Sequence, residues 1–221
     1  MATFKEGING GFSGKAGTVI GYYRMGKWVM RAVPKTSGKN KQGTEAQKAC
    51  RTRFTLIQRF LKPMPGFVNA GFTAEGQARQ ITAHNAAKSH NMRVFTPEGT
   101  IDYSKILISY GRLPGTVSAK VERDDAGLHV SWDPKPLRKE GDVDPGLYDQ
   151  VILMAYYLEE EDTYQGNRVF GRPSGARRKA GSDVIELPDH RKGKPFHVWM
   201  AFISDDRRDV STSQYLGEHI F

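Results

Sequence analysis

The sequence predicts an α+β N-terminal region, a β-hairpin with two helices, followed by an all-β sandwich. Three observations carry this expectation. Seven short runs rich in Val, Ile, Phe, Tyr and Trp fill the second half of the 221-residue chain, separated by turn-forming clusters. Between Ala46 and Leu61 the apolar residues recur every three or four positions, the period of a helix, and an Ala-rich, weakly amphipathic stretch follows Thr73. Between the two patterns lies GRLPG, residues 111 to 115, which divides the chain into a mixed region 1–111 and a β region 112–221.

The seven runs are TVSAKVE, LHVSWD, DQVILMAYYL, NRVFG, DVIELP, FHVWMAFIS and SQYLGEHIF. Clusters such as RDDAG, DPKPLRKEGDVDPG and GRPSGARRKAGS punctuate them. Leu128, Val130 and Trp132 share one side of their run, and Phe196, Val198, Met200 and Phe202 share one side of theirs. His129 and His197 fall on the opposite sides and read as surface residues. The unbroken apolar stretch from Val151 to Leu158 suits a buried strand. Seven short strands with an early Trp and late aromatics match an immunoglobulin-like or fibronectin-III-like sandwich, and SWDP with the tyrosine-bearing last run resembles the latter in pattern.

Upstream, Thr18 to Tyr23 and Lys27 to Val33 are β-prone runs joined by Arg24-Met25-Gly26, a hairpin. A helix follows over TEAQKACRTRFTLIQRFLK, with Thr44 as N-cap and Pro63 as its stop. Ala46, Cys50, Phe54, Ile57 and Leu61 fall on one face, making Cys50 a small core residue; Lys48, Arg51, Arg59 and Lys62 line the opposite face. A second helix is expected after Thr73 through EGQARQITAHNAAKSHNM, then a strand over TIDYSKILIS.

The motifs that would signal catalysis fail. Gly14-Lys15 has Asn9 where a phosphate-binding loop needs glycine, Ala16 where it needs Ser or Thr, and a β-prone run where it needs a helix. GFSGK also lacks the second glycine of a nucleophile elbow and reads as a turn. His84 and His90 stand six apart on a helix and cannot share a metal. The acidic run Glu159 to Asp162 lacks the alternation and glycine of a calcium loop. No catalytic residue, cofactor or metal is expected. One cysteine excludes an internal disulfide, and no apolar run reaches the length of a membrane span. MATFKEGINGG has no apolar signal segment, which places the expected location in the cytoplasm or a phage-like particle.

Charge is the most informative feature. The net +9 conceals +14 over residues 1–120 and −5 over 121–221. Charge of this kind speaks to partners. Lys15, Arg24, Lys27, Arg31, Lys48, Arg51, Arg53 and Arg59 are the candidate contacts, with Tyr22, Tyr23 and Trp28 interleaved and Lys35, Lys39 and Lys41 in the loop between. Three readings follow: a solvated face, a sequence-independent nucleic-acid site, or a basic half that meets an acidic one between copies.

SGKAGTVIG with the hairpin and Arg31, then TEAQKACRTRF, IDYSKILISYG, VWMAFIS and VSTSQYLGEHIF, resembles a domain-of-unknown-function family of Bacteroidota across nearly the whole chain. The resemblance implies a mixed N-terminal region before an immunoglobulin-like sandwich, a bacterial or phage source, and no catalytic residue. The expected function is therefore a non-enzymatic structural or adaptor protein that docks to copies of itself or to a larger assembly, the alternative being nucleic-acid binding by the basic half.

Overall fold

The computed structural model describes residues 2–4, 7, 10–34, 43–135, 146–157 and 168–221. The protein is α+β, with three α-helices and mostly antiparallel sheets among the described residues, and divides into two units, Met1–Ala49 and Cys50–Phe221.

In the first unit, four antiparallel strands form a meander in the order β1 (Thr3–Phe4), β2 (Phe12–Ala16), β3 (Val19–Arg24) and β4 (Lys27–Ala32). β3 and β4 form the expected hairpin. Met25 and Gly26 hold φ of 50° and 80°, the pair of left-handed residues whose twist matches that of two antiparallel strands. The GFSGK stretch is a strand, not a turn: Lys15 and Ala16 pair with Ile20 and Val19, and the chain reverses one step later, at Gly17-Thr18. Ladder pairing overrides the turn preference of its glycines.

Helix α1 (Glu45–Leu61) begins with a reciprocal cap. The Gln47 N–H donates to Thr44 Oγ1 at 3.3 Å, and the Thr44 N–H donates to Gln47 Oε1 at 3.2 Å. The boundary between the units falls within this helix.

The second unit contains two further helices, α2 (Pro65–Ala78) and α3 (Ala83–Asn91), where the sequence suggested one beginning after Thr73. Pro65 suits a first helical turn, where its missing N–H costs nothing. Gly71 lowers helix propensity but is required: a Cβ there would overlap the backbone of Ile108 and Ser109. Gln80, at φ 53°, ends the α2 segment, and Thr82 caps α3 by accepting from the Asn85 N–H at 3.2 Å.

TIDYSKILIS is not a strand. It forms a short 3-10 turn, Tyr103–Lys105, and then an extended segment bonded by side chains. Asn91 serves as a surrogate strand, donating through Nδ2 to the Leu107 carbonyl at 2.8 Å and accepting the Leu107 N–H at 2.9 Å. Trp199 Nε1 donates to the Ile106 carbonyl, and Ser213 Oγ accepts the Ile108 N–H. The buried backbone is thus satisfied without a ladder.

All seven downstream runs form strands: β5 (Ala119–Arg123), β6 (Gly127–Trp132), β7 (Gln150–Tyr157), β8 (Val169–Arg172), β9 (Ser182–Glu186), β10 (Pro195–Ile203) and β11 (Gln214–Ile220). They make a three-stranded sheet, β5-β6-β9, and a four-stranded sheet, β11-β10-β7-β8. Central strands β7 and β10 are buried on both faces. Ile152, Met154, Tyr156, Trp199, Ala201 and Ile203 join a core with Ile57, Phe60 and Phe72 of the helices. Val151, Leu153, Ala155, Phe196, Val198 and Phe202 join another with Leu128, Val130, Trp132 and Ile185 of the smaller sheet. The order of layers is helices, four strands, three strands. Helices that precede Gly111 and strands that follow it share one core.

Arg178 ties the GRLPG crossing to that core. Fully buried, it donates to the carbonyls of Pro114 at 2.6 Å and Gly115 at 2.9 Å, lies 3.6 Å from the Asp149 carboxylate and stacks on Phe202. No helix among the described residues is long and apolar enough to cross a membrane.

Candidate docking surface

The register of the first unit sorts its side chains, because directly opposed residues of antiparallel strands project to the same side. Lys15 opposes Ile20, which opposes Arg31; Tyr22 opposes Val29; Arg24 opposes Lys27. Lys15, Arg24, Lys27 and Arg31 therefore share one face, and all four are exposed. No acidic residue occupies this face within β2, β3 or β4. Arg24 and Lys27 are directly opposed like charges, an arrangement that is destabilising between paired strands.

The other face carries no charge in these strands. It carries Phe12, which is buried, and Ala16, Val19, Tyr23, Trp28, Met30 and Ala32. Tyr23 is 60% exposed, Trp28 39% and Met30 70%. Tyr23 and Trp28 meet edge to face at 5.1 Å between centroids. The sequence grouped Tyr22, Tyr23 and Trp28 as aromatics among the cations; the register keeps only Tyr22 there. Met30 escaped notice, although applying two-residue alternation to the hairpin would have found it.

The four helix cations are arranged differently. Lys48 pairs with Glu45 at 3.2 Å in the first unit. Arg51, Arg53 and Arg59 belong to the second unit and are exposed, with Arg53 over the Phe95 ring at 5.6 Å. Lys35, Lys39, Lys41 and the run Glu159 to Asp162 lie outside the described residues. The apolar face expected on α1 buries only its last part. Ile57 and Leu61 are buried, as is Phe60, whereas Ala46, Cys50 and Phe54 are exposed, so Cys50 is not a core residue. The three-to-four spacing continues beyond the part of the helix that has a core to meet.

The histidines also depart from expectation. His197 lies on the helix side of β10, half-buried, not on the surface. Its ring stacks on Tyr103 at 4.4 Å, and Nδ1 hydrogen-bonds the Tyr215 hydroxyl at 2.8 Å. Burial pulls its pKa down, and Glu218 opposes that shift. Burial, with Tyr156 beside it, pushes the Tyr103 hydroxyl up to about 12. His90 Nε2 lies 3.1 Å from Glu75 Oε1, and its ring stacks on Tyr110 at 4.2 Å.

Glu75 and Tyr110 help line a cleft of about 470 Å³, together with Ala74, Arg112, Asp209 and Thr212. Here a carboxylate and an imidazole meet beside a cavity. The hydroxyls nearby are committed elsewhere: Ser89 accepts from Arg79 at 3.1 Å, and Thr212 donates to the Gly111 carbonyl at 3.2 Å. Among the described residues, no group of three or more His, Cys, Asp or Glu side chains is placed to hold a metal.

A family model described as a family of unknown function, DUF6266, matches residues 11–217. The chain belongs to the DUF6266 family. The match spans β2 through most of β11, so the two-faced sheet from β2 onward lies inside the DUF6266 region. No curated protein and no solved structure matches the chain.

Proposed function

We propose that the protein is a non-catalytic structural or adaptor protein, with an immunoglobulin-like or fibronectin-III-like sandwich as scaffold and the N-terminal sheet as its docking element. The sandwich reading is supported by the division of seven strands into β5-β6-β9 and β11-β10-β7-β8 and by buried Trp132 on the second of them. The observation that carries the function is that all four strand cations lie on one face of the sheet, while the other face holds no charge and exposes Tyr23, Trp28 and Met30. Exposed apolar surface costs free energy that burial against a partner recovers, at roughly 25 cal/mol per Å². The partners are other protein subunits, copies of the same chain or components of a larger bacterial or phage-derived complex.

The test compares partner capture by the full chain, by Met30→Glu and by a variant with Lys15, Arg24, Lys27 and Arg31 all changed to Glu. Docking through the sheet requires that specific partners of the wild-type chain be lost in at least one variant. A wild-type chain that captures nothing and remains monomeric at low salt overturns the reading.

The cationic face favours a second reading, binding of single-stranded nucleic acid, because Tyr22 shares it with four exposed cations. Four phosphate contacts give a log–log salt slope of about −3 on single-stranded DNA. The Lys15, Arg24, Lys27 and Arg31 reversal removes that slope if the sheet is responsible; the Arg51, Arg53 and Arg59 reversal removes it if the helix is. No gel retardation at low salt excludes both.

A further inference from the structure

We infer that the uncharged face of the N-terminal sheet seats a second copy of the same chain, the two sheets packing face to face about a twofold axis. This rests on the docking reading and names the occupant.

Charge makes the choice. The uncharged face meeting its own copy brings Tyr23, Trp28, Met30 and Val19 together and desolvates no ion. Cationic face against cationic face would oppose Lys15, Arg24, Lys27 and Arg31 with their counterparts. Cationic face against apolar face would strip water from four cations and return no hydrogen bond. A foreign partner bearing charge at the contact meets the same penalty. Of the three ways the two faces of this sheet can meet their own copies, only the first is free of it. Aligned sheets pack about 10 Å apart, which suits the rings of Tyr23 and Trp28 and the thioether of Met30, a favourable neighbour of aromatic rings.

Size sets the strength. Strands of five and six residues cover roughly 20 Å by 15 Å, on the order of 600 Å² for two copies together, below the roughly 1,200 Å² of a stable interface. The pair is therefore a weak, concentration-dependent dimer that becomes durable only when many copies are held side by side.

Sedimentation of the full chain over about 5 to 500 µM reads this directly, the range in which contacts of this size dissociate. The wild type is expected to shift from monomer toward dimer. Met30→Glu should weaken that association about a hundredfold, because it buries an unpaired carboxylate, while the double change Lys15→Glu with Arg31→Glu leaves it within about threefold. Circular dichroism checks that each variant folds, and the exposure of Met30 leaves its own fold unaffected. In a Cys50→Ser background, Tyr23→Cys and Met30→Cys should form disulfide dimers on oxidation, whereas Ile20→Cys on the opposite face should not. Equal cross-linking from both faces, or dimerisation that survives Met30→Glu, overturns the inference. A wild type that stays monomeric while Met30→Glu abolishes binding of a different protein removes self-pairing and leaves docking in place. A monomer in which Tyr23→Cys and Met30→Cys also resist maleimide shows the face covered within its own chain, and both readings fall.

Discussion

The N-terminal sheet and the central pair β7 and β10 are all rich in β-branched and aromatic residues, and they meet opposite fates. β4 reads KWVMRA, and only Val29 of its six side chains escapes full exposure. β7 reads QVILMAYY, and seven of its eight residues are buried. The difference lies in the layers available, not in strand propensity. A strand of the central sheet has helices on one face and a second sheet on the other, so it has no need of polar alternation. The N-terminal meander keeps its charges to one side, and its uncharged side leaves Tyr23, Trp28 and Met30 exposed. Core strands secure the molecule; the meander presents a surface.

Substitutions that test this contrast should rank accordingly. Phe72→Ala, in the helix-side core and fully buried, should cost about 3–5 kcal/mol, read as a fall in the urea midpoint. Asn91→Ala removes the hydrogen bonds that satisfy both backbone groups of Leu107, and about 2–3 kcal/mol should go with them; the Leu107 amide should lose protection in hydrogen exchange.

The aromatic stack around His197 makes second-unit stability depend on pH at both ends. The folded pKa of His197 lies below its ordinary 6.5, so its contribution is present above that pH and fades as pH falls toward the folded value. Tyr103 behaves oppositely: raised from 10.0 to about 12, it contributes below pH 10 and loses that contribution as pH rises through 12. Thermal melts of wild type and His197→Phe across the acid range should differ in slope below pH 6.5, and an unchanged slope would refute the assignment.

Thr44→Ala, which removes half of the reciprocal cap, should cost about 0.5–2 kcal/mol locally, seen as faster amide exchange in the first turn of α1. Met30→Ser should change stability by less than about 0.5 kcal/mol, despite deleting a large apolar side chain. A cost as large as that at Phe72 would erase the distinction between the two regions.

What could be read from the sequence follows the same division. All seven strands after residue 112 were legible because each is a short β-branched and aromatic run bounded by turn residues. The hairpin was legible from Gly26 and its flanks, and α1 from its cap and Pro63. The first part of α2, before the expected start after Thr73, was hidden by Gly66 and Gly71, residues that argue against a helix in isolation. At Gly71 the reason is tertiary, the backbone of Ile108 and Ser109 pressed against it. Ile106 to Ser109 has the composition of a strand, but the groups that satisfy its backbone are Asn91, Trp199 and Ser213, which no local window brings together. Cys50 and His197 were misplaced for complementary reasons: one lies on an apolar stripe that outruns its core, the other on a strand face that helices cover. Of the eight candidate cations, the four on the sheet share a face that alternation along the hairpin implies.

The double burial of β7 and β10 has a consequence for how the chain reaches its native alignment. Where one side of a strand is wet, sliding by a single residue drives polar groups into oil and is punished at once. Between these two strands a slip exchanges one greasy set for another, so water gives little guidance. Correct alignment must come instead from shape and from individual anchors: the indole of Trp199 seeking the Ile106 carbonyl, and the irregular step at Val198 and Trp199 where β10 meets β11. The alignment of this central pair therefore leans on the helices and the smaller sheet, which together say which side is which.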